Sequence, residues 1–537
     1  MQQSPCQKPL RNFCRQSLLV PFLIVTKFTS LDTKRLFVAL FAIALFAMAV
    51  RETLDPDMWW HLRTGEVILQ NGIPAQDLFT FTVPQNAWVT HEWLSQLIMW
   101  LVYEVGGLPG LILFFAALIA LTYWLLYLAC AGRPYLAAFI VLLAAITSAI
   151  VWGARPQIFN LLLTAVFVLI VERVKDGKLG ARALWWLPLL TLVWANLHSG
   201  YLLGIVLLGT YAAGDAAQRW LIAKPTVRTL PLATIFQLFG VTMVSFLAAA
   251  VNPSGIELWI YPFLTLGSGP MQAYIQEWLS PDFHQTYFWP FAGMLALGVL
   301  GWIFNKNDLA AVGVPAVSPS GTVRRPATAQ VTITELLLFL GTGAAGLVSA
   351  RHIPLFAIVA TPIIVRHWLS VGLDPKGFAK NTTNVQGDKP LGSGLFVVLN
   401  WVILLVAMGT AVLYSITKID NNETAIAARY PVAAVDYLEA SGLDEARGYN
   451  SYNWGGYLIW RGVPVFVDGR ADVYGDPFLL LYRETFEVRA TWQDPLDEYD
   501  VDYVLMERGT PLTAVLTASP DWTQVYEDEI AQIFVRK

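Results

Sequence analysis

Charge is what this sequence has least of. Only 14% of its 537 residues are Asp, Glu, Lys or Arg, 56% are hydrophobic, and the mean hydropathy is +0.52. That balance excludes a soluble protein of this length. The net charge of −4 says little, because the placement of charge matters more than its sum; no nucleic acid is expected as a partner. Cysteine is nearly missing, with Cys6, Cys14 and Cys130 alone, too few to staple a disulfide scaffold. No cleavable signal precedes the first apolar run, since residues 1–35 carry dispersed basic side chains. No repeat in the 20–50 residue range is visible, and His61, His91 and His352 are not spaced like a zinc cluster.

Long apolar runs are what the chain has in excess. Segments near 36–50, 108–130, 135–152, 157–172, 184–197, 201–214, 230–250, 287–304, 333–350, 353–366 and 394–416 are almost continuous Ala, Leu, Ile, Val and Phe. They approach or exceed the length that a helix needs to cross about 30 Å of hydrocarbon. The reading is an α-helical polytopic membrane protein with about eleven spans and a small C-terminal extracytoplasmic α/β domain. Two further apolar segments, 17–28 and 93–105, are short and read as interfacial helices.

Basic residues set the expected orientation. With the N-terminus cytoplasmic, the outer loops between spans hold only Arg51, Arg63, Arg155 and Arg351, while the remaining basic residues before 417 fall on the inner side. Such asymmetry orients spans with positive loops inside. The organisation is then a cytoplasmic segment 1–35, a transmembrane domain 36–416 with long outer loops 51–107 and 251–286, and an outer domain 417–537. All three cysteines lie on the inner side or at a span's inner end, so the outer domain has no disulfide. The expected location is the plasma membrane. The inner loop 305–331 is rich in Pro, Ser and Thr and reads as disordered. In the outer domain, GVPVFVDGR and YDVDYVLMER read as buried strands and YPVAAVDYLEASG as a helix ended by Gly442.

The polar chemistry collects on the outer side. Asp55, Asp57, Glu66, Asp77 and Glu92 fall in the first outer loop, Glu277 and Asp282 in the later one, and Arg155 and Arg351 at span ends. Ionisable groups at membrane depth are costly and mark sites or pathways. Arg351 lies between two apolar stretches, where an unpaired guanidinium would be expensive, and its planar fork suits a phosphate or carboxylate. Arg155 follows the same logic. His61 and His352 are candidate hydrogen-bond donors to a polar ligand. Trp59 and Trp60 suit an interfacial belt, and some outer tryptophans could stack on a sugar ring.

Those residues resemble a known pattern. An outer acid just after span one, a long first loop, an acid in a later loop and an outer C-terminal domain are similar to the GT-C class of membrane glycosyltransferases. The catalytic subunit of oligosaccharyltransferase is the nearest likeness. Its first-loop motif matches Asp57-Met58-Trp59-Trp60-His61-Leu62-Arg63, except that Met58 stands for a proline. Tyr274-Ile275-Gln276-Glu277 is similar to its later acidic motif, with Tyr for the hydroxyl residue. Arg351 looks like its lipid-diphosphate arginine, and Tyr452-Asn453-Trp454-Gly455-Gly456-Tyr457 echoes its Trp-Trp-Asp-Tyr-Gly motif without the Asp. Where that enzyme has a second acidic motif for a divalent metal, this chain reads WGARPQIFN.

The resemblance implies transfer of a sugar or glycan from a polyprenyl-phosphate-linked donor to a protein, lipid or glycan acceptor, among membrane lipids. Asp57, with Asp55 second, is the candidate base. Arg351, Arg155 and His352 would hold the phosphate, and His61, Arg63, Trp454 and Tyr457 would line the substrate site. Glu277 would act on a hydroxyl or, with Asp57, ligate Mg or Mn. Protein glycosylation of the oligosaccharyltransferase kind is one alternative. A transporter or flippase of lipid-linked sugars is another, though inverted repeats and interrupted spans at the midplane are not seen in the sequence.

Overall fold

The computed structural model describes residues 31–130, 134–222, 226, 228–304, 330–370 and 393–537. Cys6, Cys14, the segment 17–28 and nearly all of loop 305–331 lie outside the described residues. The described residues form two compact units, 31–44 with 393–414 and 45–370 with 415–537. In the first, Leu31, Leu36 and Leu404 bury one another, with Ala39, Leu40 and Ile43 packed against them. The Asn400 amide closes this small cluster by donating to the Leu31 carbonyl at 2.7 Å.

All eleven apolar runs are helical. Hydrocarbon offers the backbone no hydrogen-bond partner, so a helix that satisfies its own N–H and C=O groups is the natural outcome of such composition. Six of the described helices are long and apolar enough to cross a membrane: Trp93–Ala129, Pro134–Val151, Gln157–Lys175, Thr286–Ile303, Ala350–Leu369 and Gly394–Asp420. The count of about eleven exceeds this. Trp186–Leu197 has 12 residues, and at about 1.5 Å per residue it falls well short of the bilayer core. Trp93–Ala129 breaks at Gly107, where φ is 61° and Pro109 follows. Glycine takes that left-handed backbone without a Cβ penalty, and the break falls between the two segments that the sequence separates.

Charges at one end of the bundle are paired rather than solvated. Glu172 accepts from Arg228 at 2.6 Å and from Arg366 at 2.5 Å, and Arg366 also pairs with Glu335. Lys175 bonds Asp215 at 2.5 Å, and Thr334 donates to the same acid at 2.6 Å. The helices Gln157–Lys175, Tyr201–Trp220, Ile333–Val348 and Ile353–Ser370 are tied by these contacts. Removing charges from water is costly unless each finds a partner, which explains why the sequence places acids and bases on facing helices. A capping box starts Ile333–Val348, with Thr332 and Glu335 each accepting the other's backbone N–H.

The C-terminal region carries a four-stranded mixed sheet in the order β1-β2-β4-β3. These strands are β1 (Gly448–Asn450), β2 (Tyr503–Glu507), β3 (Trp522–Glu527) and β4 (Ala531–Arg536). YDVDYVLMER supplies β2 as expected, and Val432–Ser441 is a helix stopped by Gly442 at φ 69°. GVPVFVDGR is a correction: it is largely buried but bent, and it joins no strand of the sheet, forming only an isolated bridge between Thr80 and Val465. Its backbone finds partners elsewhere. Val465 bonds the backbones of Phe79 and Phe81, Thr80 and Thr82 hydroxyls donate to the carbonyls of Val465 and Phe466, and the Asn450 side chain bonds Phe466 and Val467. A buried apolar run needs satisfied backbone groups, and the first long loop provides them as well as a sheet neighbour would.

One buried ion triplet seals this contact. Arg470 bonds Asp468 at 2.6 Å and Asp77 of the first loop at 2.7 Å, stacks over Phe79 and Trp88, and all three ionic side chains have 0% exposure. Replacing Arg470 by Met leaves two buried carboxylates without a cation. The expected cost is about 3–5 kcal/mol, read as a lower thermal unfolding midpoint of the protein purified in detergent; an unchanged midpoint would show that the triplet contributes nothing.

Candidate functional site

Asp57 opens the helix Asp57–Asn71 directly after Pro56. Its N–H donates to the Asp55 carboxylate at 3.0 Å, so Asp55 anchors the helix start and fixes both acids together. The Trp60 indole donates to Asp57 Oδ1 at 3.1 Å. That oxygen also faces Gly469, where a Cβ would stand 2.1 Å from it. Any side chain at 469 would displace the acid, so the tight Asp468-Gly469-Arg470 turn is shaped around Asp57. Tyr452 donates to the Gly469 carbonyl at 3.3 Å and adds a part-buried hydroxyl beside the acid.

Arg155 comes from the short loop that leads into Gln157–Lys175. The loop is held close, since a Cβ at Gly153 would stand 2.7 Å from Asp55 Oδ2. From there the guanidinium reaches Asp55 at 3.5 Å, Asp57 at 3.1 Å and Glu277 at 3.4 Å. Glu277 sits in the turn Gln276–Trp278 and Arg351 in the turn Ala350–His352. These turns are stitched together: Ala350 N–H donates to the Leu279 carbonyl at 2.9 Å and the Ser349 hydroxyl to the Glu277 carbonyl at 3.2 Å. Arg351 therefore lies 4.0 Å from Glu277, with its guanidinium 5.0 Å above the Trp278 ring.

Three carboxylates share two guanidinium groups, so the cluster is one negative charge in excess when all are ionised. Burial, opposed by Arg155 and reinforced by Asp55, pushes Asp57 up to about 7. Burial raises Asp55 as well. Burial also works on Glu277, but the charges of Arg155 and Arg351 outweigh it and hold that acid below the usual carboxylate range. The excess proton thus belongs to the aspartate pair.

A second buried cluster stands beside the first. Glu92 is approached by His198 at 3.3 Å, His91 at 3.6 Å and His61 at 3.7 Å, each through Nε2. The Gly200 N–H donates to His198 Nδ1 at 2.8 Å and the Gln96 amide lies 3.2 Å from His61 Nδ1, which leaves Nε2–H of both turned to the acid. His91 Nδ1 instead faces the Val89 carbonyl at 3.1 Å, so donation at both nitrogens requires the imidazolium. Burial works against that charge, but Glu92 outweighs it and raises His91, while burial drives His61 and His198 down to about 3. His91 also packs at 4.3 Å on Tyr261, which donates to Asp472 at 3.2 Å.

Of the residues singled out in the sequence, Asp55, Asp57, Arg155, Glu277 and Arg351 meet in one group. His61 adjoins it through Glu92, and His352 follows Arg351 with its Nδ1 unpartnered among the described residues. Arg63 pairs with Glu66 instead. Trp454 donates to the Arg429 carbonyl at 3.1 Å, and Tyr457 packs on Trp59 and Tyr430, joining the C-terminal region to the first loop. Glu92 with His198, and Gly469, were not singled out as site residues, whereas Tyr452 of the Tyr452–Tyr457 motif does lie beside Asp57. The His91-Glu92 pair offered a signal; nothing in the sequence marks the loop glycine as lying against Asp57.

No protein-family model matches the sequence, and no curated protein matches it. Solved structures do. An oligosaccharyltransferase from Archaeoglobus fulgidus, tethered to an acceptor peptide with an NVT sequon, aligns with a TM-score of 0.53 at 13% identity over 89% of this chain and 69% of that one. The archaeal oligosaccharyltransferase AglB of Archaeoglobus fulgidus, in complex with an inhibitory peptide and a dolichol-phosphate, gives 0.51 at 12% identity over 88% and 69%. The chain has a GT-C-like fold. ArnT from Cupriavidus metallidurans, bound to undecaprenyl phosphate, aligns over 96% of this chain and 98% of its own with a TM-score of 0.46 and 12% identity.

Within this GT-C-like fold the acid–arginine group lies where the first loop, the Arg155 loop and the C-terminal region converge. The Glu92 cluster makes a separate prediction. In a Glu92→Gln protein, His91 loses its compensating charge and its pKa falls below the usual 6.5, which histidine NMR on labelled protein would detect. A His91 resonance that still titrates above that value would refute the pairing.

Proposed function

We propose that the protein is a membrane glycosyltransferase that moves a sugar or glycan from a polyprenyl-phosphate-linked donor to an acceptor on the outer face of the membrane. The observation that carries this reading is the grouping of Asp57 with Arg155, Glu277 and Arg351 in one partly buried cluster. It supplies, side by side, a carboxylate of raised proton affinity and guanidinium groups suited to a phosphate. The likeness in fold to AglB, whose solved complex holds dolichol-phosphate, adds support.

In this reading the acceptor's nucleophilic atom attacks the anomeric carbon as the bond from that carbon to the phosphate oxygen breaks. The acceptor proton passes to Asp57, a general base tuned by burial. The phosphate leaves with the bonding electrons, and Arg351 compensates its charge from its place over Trp278. Arg155 holds Asp57 and Asp55 at the right spacing, and Glu277 orients both arginines. His352, beside Arg351, offers its unpartnered Nδ1 to a phosphate oxygen.

Asp57→Asn keeps the size of the side chain and removes the base. Release of label from radiolabelled polyprenyl-phosphate sugars should fall by about 10²–10⁴-fold, with expression and membrane insertion intact. Near wild-type release would remove Asp57 from the mechanism. Because Asp57 accepts a proton only when ionised, the rate should rise with pH and level off above about 7. A profile flat from pH 5 to 8 would contradict that assignment.

A further inference from the structure

The GT-C resemblance implies a divalent cation held by acids, and the residues here do not fit one. Arg155 stands between the carboxylates that would have to bind it. One nitrogen, Nη2, is 3.1 Å from Asp57 and 3.4 Å from Glu277, and Nη1 is 3.5 Å from Asp55. A metal ligated by these oxygens would need them at about 2.0–2.6 Å from one point, and the guanidinium already occupies the space where such a point would lie. Among the described residues, no group of three or more His, Cys, Asp and Glu side chains is arranged to hold a metal ion.

Nor is Arg155 a side chain that has swung in from solvent. Only 16% of it is exposed, and the loop that delivers it is fixed at both sides. Gly153 is pressed against Asp55, and the Arg155 carbonyl accepts from Ile158 at 3.2 Å to start the next helix. Arginine keeps its charge at every working pH, and it meets several carboxylates at once through separate N–H donors.

We propose that Arg155 is the resident cation of this site, taking the electrostatic place of a divalent ion among Asp55, Asp57 and Glu277, so that the protein works without metal. The ion-exclusion half of this inference stands on geometry alone; the claim about turnover rests on the transferase reading. Unlike a bound ion, the guanidinium cannot be chelated away. It also cannot open coordination positions to the substrate, so it orients the acids while Arg351 is left to meet the phosphate.

The test uses Mn²⁺ as the probe, titrated into the purified full-length protein and read by electron paramagnetic resonance. The wild type should take up no stoichiometric Mn²⁺ in the micromolar range. Arg155→Ala, which removes the cation from among the three carboxylates, should gain one site, and the Arg155→Ala/Asp57→Asn double variant should lose it. Stoichiometric Mn²⁺ on the wild type that Asp57→Asn or Glu277→Gln abolishes would overturn the proposal. So would a folded Arg155→Ala protein that binds none, because its acids would then not be placed as a cation site. Label release from polyprenyl-phosphate sugars should change less than twofold when EDTA replaces Mg²⁺ or Mn²⁺, and a tenfold loss would also overturn it. Absence of any label release with or without metal, alongside the expected Mn²⁺ behaviour, would count against the transferase reading and leave the resident cation standing.

Discussion

One guanidinium set among three carboxylates is the interaction on which this site depends. Asp55, Asp57 and Glu277 come from two loops more than two hundred residues apart in the chain, and buried together without a cation they would repel. Arg155 makes their proximity tolerable, and Arg351 adds a second positive charge at the Glu277 side. The count still leaves one charge in excess, and burial, reinforced by the neighbouring Asp55, makes Asp57 hold its proton near neutrality rather than near its ordinary value. A site with equal numbers of acids and arginines would bind its charges tightly and have no base to offer.

The C-terminal region completes that site rather than merely sitting beside it. Its run 462–470 uses the first loop as a hydrogen-bonding partner, and the Arg470–Asp77 pair locks the two. Because Gly469 abuts Asp57 and Tyr452 hangs from the same turn, the acid's surroundings are made jointly by the two segments. The aromatic contacts of Trp59 with Tyr430 and Tyr457 reinforce the same junction. Burial of Asp57, and with it the raised proton affinity, therefore originates in packing between segments about 400 residues apart.

A bundle with charges at both ends raises the question of why only one end is read as a site. At the other end Glu172, Asp215 and Glu335 each bond basic or hydroxyl groups from facing helices at close range. Every one of those acids is matched within the helix packing, with Arg228 and Arg366 both on Glu172. In the Asp57 group the contacts are longer, up to 4.0 Å, and Glu277 and Arg351 keep 28% and 26% of their side chains exposed. Satisfied pairs tie helices together; partly open ones can exchange partners with a substrate.

Composition and the long unbroken apolar runs determined that the chain is helical and apolar enough for a membrane, since backbone groups in hydrocarbon must pair internally and a barrel strand would alternate apolar with polar residues. The identity of the acids and arginines was legible too, because Arg351 stands out against apolar flanks where a charge is expensive and Asp57 heads a recognisable motif just after the first apolar run. Neighbourhood was not legible. Arg155 reads as an arginine for a phosphate, yet it sits as the hub among three carboxylates; Glu92 reads as one acid among several, yet it gathers three histidines. GVPVFVDGR has the alternation and β-branching of a strand, but its backbone finds its partners in Phe79–Thr82 and the Asn450 side chain rather than in the sheet. Residue type and local pattern settle what a segment can form, whereas proton affinity and ion pairing depend on distances between segments that only the packed chain brings together.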